Sequence, residues 1–238
     1  MAVKTSAQDA AIEQILIAIQ HKEIFPSAKL FETDLEKSLG MSRTPIRAAL
    51  DQLVLDGILE KRQNQRGYIF PKLSLSDLFH VYTLRERLET ASVALACLKW
   101  NSQAQKKIDC AINSEIENSE TQISDKYKDL SNGFHITLAS ISENEYLVSS
   151  LKRAYLRICM YELFYGAGMY RLNRDINQHK DLNDLMIDQH RNIILSVAKK
   201  DSAAAAKKVV AHLRDTIIAT DYVTSYPEWK EYETLFPL

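Results

Sequence analysis

A mainly α-helical protein in two parts is what the sequence predicts, on three observations. Gly and Pro are scarce, at six and five in 238 residues. Apolar residues recur at helical spacing along most of the chain, and β-type runs are confined to one stretch around residues 58–70. The expected architecture is an N-terminal unit of short helices with a small β-hairpin (residues 1–72), followed by an all-α antiparallel helical bundle (residues 73–238).

Composition narrows the class. With 46% hydrophobic and 26% charged residues the chain reads as an ordinary soluble protein. Cys97, Cys110 and Cys159 form no C-x-x-C pair and read as thiols of a reducing compartment. Residues 1–14 contain no apolar signal core, and no apolar run approaches the roughly 18 residues needed to span a bilayer, so a cytoplasmic location is expected. A net charge of −1 gives no global attraction to nucleic acid. Any such role must rest on where Lys37, Arg43, Arg47, Lys61, Arg62 and Arg66 are placed.

The elements of the first part follow in order. Ile12, Ile15, Leu16 and Ile19 predict an amphipathic helix over about 8–21, ended by Phe25-Pro26. Thr33-Asp34-Leu35-Glu36 has the form of a capping box, and Gly40 suits a left-handed helix stop. Ser42-Arg43-Thr44-Pro45 starts a further helix, with Pro in its first turn and Ile46, Ala49, Leu50 and Leu53 as a buried stripe ending at Gly57. Two short helices joined by a tight turn describe a helix-turn-helix, with Arg43, Thr44 and Arg47 off the apolar stripe and directed to a major groove. Residues 58–61 and 68–70 flank a polar loop carrying Arg62, Arg66 and the turn glycine Gly67, which makes the unit a winged helix-turn-helix.

The segment Leu30 to Gly67, through Ser42-Arg43-Thr44-Pro45-Ile46-Arg47 and Leu50-x-x-Leu53-x-x-x-Gly57, resembles the DNA-binding domain of the GntR family of bacterial regulators. The resemblance implies DNA contacts by Arg43, Arg47 and Gly67, with Ser42 and Thr44 as phosphate partners and Arg66 at the wing. One departure is Thr33, where many members carry Arg after the acidic residue.

The second part predicts helices over about 74–100, 102–120, 124–140, 144–165, 181–199 and 202–220, with a break at Gly166 and Gly168. Leu78, Val81, Leu84, Leu88 and Ala91 are the expected buried face of the first. Bundles of this kind place ligands in their interior. His135, His190 and His212 lie on three different helices, and helix position alone does not bring them together. The tail from Asp221, with Tyr222, Tyr226, Trp229, Tyr232 and Phe236, is expected to pack on the bundle or on a partner subunit.

The order Tyr82-x-x-Arg85-x-x-Leu88-Glu89, Phe134-His135-x-x-Leu138, His190 and His212-Leu213 is similar to the FCD-type effector domain of the FadR subgroup. That resemblance implies a divalent metal, zinc or nickel, on His135, His190 and His212, and a small carboxylate effector. The family's Asp, one helical turn before the first His, falls on Ser131 here. Asp129 lies about 240° around a helix from His135 and cannot replace it, whereas Asn132 is better oriented but a weaker ligand. The metal is therefore expected to be weakened or lost, with Arg85, Ser131 and Asn132 as effector contacts. Members of the family act as homodimers on near-palindromic DNA, and a ligand-released repressor is the implied behaviour. Two other readings are a constitutive DNA-binding dimer with a vestigial pocket and a three-histidine metal enzyme. Against the enzyme, no H-E-x-x-H, nucleophile elbow or phosphate loop is present.

Overall fold

The structure is a computed structural model that describes residues 6–63, 65–117, 127, 133–166 and 176–218, with the backbone alone over 176–183 and at 218. The described residues fall into two compact units, the first comprising those up to Ser74 together with Tyr127 and the second the remainder from Leu75.

In the first unit, α1 (Ala7–Gln20) is started by a capping box that pairs Ser6 with Asp9, a signal that the sequence reading did not use. Its stripe Ala11, Ile12, Ile15, Leu16 and Ile19 is buried and packs on α3 (Arg43–Leu55), which contributes Ile46, Ala49, Leu50 and Leu53. Between them, β1 (Lys29–Leu30) leads into α2 (Glu32–Leu39). β1 pairs antiparallel with β2 (Tyr68–Ile69), and Glu60 bridges Ile69. The wing is thus present, with a third partner, Lys29–Leu30, that is too short to leave a periodic signal.

The capping box expected at Thr33 and Glu36 does not form. Leu30 is held in the sheet, Phe31 is extended (φ −117°, ψ 139°) and caps α2 without a side-chain bond, so Thr33 already lies inside the first turn. Its hydroxyl turns to Asp34, and Glu36 is drawn toward Arg43. Gly40 closes α2 at φ 63°, as expected.

The second unit is built around α4 (Leu75–Lys99), which packs against α9 (Ser202–Ile218), α7 (Glu145–Tyr161) and α6 (Phe134–Ile141). Helices α5 (Ser102–Glu117) and α8 (Ile176–Ala198) complete it, and α7 runs on into a wider π turn over Glu162–Gly166. Val93, Ile108, Phe134, Leu138, Ile194, Val197, Val209 and Leu213 lie at the heart of its core.

Two expectations are corrected here. The buried face of α4 carries Leu78, Phe79, Tyr82, Arg85, Glu86, Glu89, Ser92, Val93, Ala96 and Cys97, so of the expected stripe Leu78 is buried, Val81 and Leu88 are half-buried, and Leu84 and Ala91 face outward. Leu84 and Leu98 are 48% and 77% exposed. Burial of the Arg85–Glu89 pair against the histidine helices decides the orientation, so the more apolar face of α4 is turned outward. The helix expected to run unbroken to Ser140 instead starts at Phe134. Gly133 is extended (ψ 152°), and the Phe134 N–H is taken by Glu115. The helical register used to place Ser131 and Asp129 around His135 is therefore interrupted.

Ser131, Asn132, Gly168 and the aromatic tail from Asp221 lie outside the described residues. No helix among the described residues is long and apolar enough to cross a membrane.

Candidate nucleic-acid interface and metal centre

Ser42 is the N-cap residue of α3, and Ser42, Arg43, Thr44 and Arg47 are all exposed at its start. The two arginines meet the acidic face of α2. Arg47 donates through Nε to Glu32 Oε1 and through Nη2 to Glu32 Oε2, both at 2.9 Å. Arg43 Nε lies 3.4 Å from Glu32 and 3.5 Å from Glu36. The hydrogen bond from Arg47 holds the Glu32 carboxyl below its ordinary value and raises the Arg47 guanidinium. Neither contact buries the arginines, whose side chains remain about half exposed at 48% and 56%.

At the wing, Arg66 is exposed and Lys61 is held by Asp51 at 3.1 Å, with the Tyr68 hydroxyl donating to the same carboxylate at 2.8 Å. Gly67 has a local reason to be glycine. Its φ is +85°, and a Cβ there would stand 2.7 Å from the Leu30 carbonyl oxygen and 2.9 Å from the Phe31 ring.

In the second unit His135 on α6, His190 on α8 and His212 on α9 come together, at 6%, 6% and 2% exposure. They form a cluster whose potential ligand atoms all lie within 4.8 Å of one another. What sequence reasoning missed is the shell that aims them. His135 Nδ1 is 2.8 Å from Glu89 Oε2, His190 Nδ1 is 2.9 Å from Glu115 Oε2, and His212 Nδ1 is 2.9 Å from Gln189 Oε1. A carboxylate only accepts, and Gln189 spends its amide N–H on Asp215, so its oxygen also accepts. Each Nδ1 must therefore carry the proton, and each Nε2 lone pair is left for the centre.

The Nε2 atoms of His190 and His212 are 3.3 Å apart. Two imidazoles on one tetrahedral zinc, at bonds of about 2.0–2.1 Å, stand about 3.3–3.4 Å apart, so His190 and His212 are spaced as two ligands of such an ion, with His135 in the same cluster. Burial pushes the His135 imidazole down, with Glu89 opposing, and it pushes His212 well below the ordinary histidine value. Both rings are thereby kept in the neutral form that a metal requires.

Arg85 is brought beside this centre but not into it. Its Nε donates to Glu89, and its guanidinium lies 5.3 Å from the Tyr155 ring and 5.9 Å from that of Tyr82. Burial raises the Glu89 carboxyl, and Arg85 followed by His135 outweighs this and holds it well below its ordinary value. The i, i+4 spacing of Arg85 and Glu89 was a readable signal of their pairing. Glu115 and Gln189 left none, because their roles depend on which helices become neighbours.

A helix-turn-helix with a wing, joined in one chain to a helical bundle holding three inward-aimed histidines, has the arrangement of a DNA-binding transcription regulator. Residues 7–69 match the bacterial regulatory proteins of the gntR family, and residues 80–215 match the FCD domain. The chain belongs to the GntR-family regulators that carry an FCD effector domain.

Its relatives include the HTH-type transcriptional regulator YdhC of Bacillus subtilis strain 168, 28% identical over 79% of each chain. The Nta operon transcriptional regulator of Aminobacter aminovorans is 29% identical, over 79% of this chain and 82% of its own. Among solved structures, E. coli McbR/YncC shares the fold with a TM-score of 0.64 at 18% identity, covering 94% of this chain and all of that one. A GntR regulator from Rhodococcus sp. RHA1 does so with a TM-score of 0.58 at 19% identity, covering 93% of this chain and all of its own.

Proposed function

We propose that this protein is a cytoplasmic, homodimeric repressor of the FadR subgroup that leaves its operator when a small organic acid binds at a divalent metal held by His135, His190 and His212. The convergence of three Nε2 lone pairs, each fixed by an outer partner, carries this reading. Zinc or nickel there would leave a coordination position for an anionic ligand and would supply the positive charge that attracts it. Arg85, already in the same network, adds a second positive group for a carboxylate.

On the DNA side, Arg43, Arg47, Ser42 and Thr44 at the start of α3 would read one half-site, with Arg66 and Gly67 at the wing. The outward leucines of α4 support a second copy as the partner that covers them, and two copies would present two α3 helices to successive major grooves. Binding in the bundle changes operator affinity only if the effector favours one of two states of the dimer.

The test begins with the DNA upstream of the protein's own gene, searched for an inverted repeat that the chain binds. Metal-loaded protein is then screened against organic acids by thermal shift, and each hit is added to the DNA complex. Release of the duplex by a stabilising acid supports the reading. A stabilising acid that leaves the complex intact, or no binding to any repeat, removes it.

A further inference from the structure

We propose that Glu32 is a specificity-determining residue of the DNA-binding face, which selects the guanidinium edge that Arg47 offers to a base and masks the recognition arginines from random DNA. The inference rests on α3 being the base-reading helix.

Glu32 is the first residue of α2, and its side chain is only 21% exposed. Its carboxylate takes the Nε–Nη2 edge of Arg47 in a two-bond fork and lies 3.4 Å from Arg43 Nε. An arginine reads guanine O6 and N7 with two parallel N–H groups. With the Nε–Nη2 edge held by Glu32, Arg47 is left to present its Nη1–Nη2 end, in a plane fixed by α2 rather than by its own flexible stem. Arg43 is drawn to the same carboxylate by its Nε, which biases its terminal nitrogens outward in the same way. One acidic side chain thus aligns two readers that stand four residues apart, one turn of α3.

The charges point to a second effect. Arg43 and Arg47 are matched by Glu32 and Glu36, so the start of α3 is locally close to neutral. Attachment to random DNA is driven by phosphate neutralisation, which this pairing weakens. A guanine edge meets aligned donors and needs no excess charge. Glu32 accordingly lowers affinity for random duplexes while preserving affinity for the correct one.

The experiment separates alignment from charge. The wild-type full chain enriches a duplex from a randomised library. That duplex and a shuffled one of equal composition are then titrated by fluorescence anisotropy across a salt series. Glu32→Gln keeps the shape and removes the charge; it should bind the shuffled duplex about tenfold more tightly, with a steeper salt dependence. Glu32→Ala also removes the fork; it should lose about tenfold on the enriched duplex, and its own selection should show degraded guanine positions. Both variants should melt like the wild type. An unchanged ratio of enriched to shuffled affinity in both variants overturns the role of Glu32. If Arg43→Ala and Arg47→Ala also bind the enriched duplex as the wild type does, α3 is not the reading helix, and that reading fails before this one.

Discussion

His190 Nε2 faces His212 Nε2 across 3.3 Å while both rings donate outward from Nδ1, to Glu115 and Gln189. Two lone pairs at that separation repel unless a positive charge lies between them. Protein purified without an affinity tag should therefore retain a divalent metal that the His135, His190 and His212 triple alanine variant loses, as read by elemental analysis. Gln189→Ala frees the His212 ring to rotate and should weaken metal affinity by about 10–100-fold. Equal metal content in wild type and triple variant would remove the centre.

The same burial sets a pH dependence for metal-stripped protein. His135 and His212 are held below the ordinary histidine value, His212 well below it. Near pH 6 the unfolded chain takes up protons that the folded chain refuses, so stability rises with pH there. It should be full above the unfolded value of about 6.5 and should fall as the pH drops below it, by at most about 1.4 kcal/mol per unit for each ring. Glu89 works in the same direction at more acid pH, because its depressed carboxyl contributes stability that is lost as it protonates. Urea midpoints measured from about pH 8 to about pH 5 test this. A midpoint that is flat or rises toward acid pH contradicts the burial argument.

Gly67 and Gly40 separate two reasons for glycine. Both have positive φ, but a Cβ at Gly40 meets nothing within 4 Å, whereas one at Gly67 collides with the Leu30 carbonyl and the Phe31 ring. Gly40→Ala should cost about 1 kcal/mol for the left-handed backbone alone. Gly67→Ala should cost about 1–3 kcal/mol beyond that, because the β1–β2 pairing must part. Thermal denaturation of both variants decides it, and equal losses would mean that the wing relaxes freely. A DNA-binding defect in Gly67→Ala is then to be read as loss of the wing's geometry.

What could be read from the residues divides along physical lines. α3 was legible because its start signal, stripe and stop all lie between Ser42 and Gly57 and depend only on local chemistry. The histidine trio was legible through resemblance, and its convergence required the packing of α6, α8 and α9. Thr33 misled because β1, two residues long, fixes where α2 begins, and no periodic pattern announces so short a strand. Glu115 and Gln189 are ordinary polar residues on helix surfaces until a histidine from elsewhere arrives beside them.

The face of α4 was misread for a reason that itself predicts something. Val81, Leu84, Leu88, Ala91, Leu95 and Leu98 alternate spacings of three and four, the pattern of a helix that packs on another helix, yet Leu84, Ala91 and Leu98 are exposed. The buried face was chosen by Arg85, Glu89 and the histidine centre, so this stripe is left for a partner. A second copy would bring two such stripes together across a two-fold axis, with the small Ala91 near the crossing allowing close approach. Leu84→Glu with Leu98→Glu should give a monomer in sedimentation analysis, with unchanged helical content, and operator affinity should fall steeply because two half-sites are no longer held at once. If the variant sediments like the wild type, the stripe does not hold two copies together and this reading of the α4 face fails.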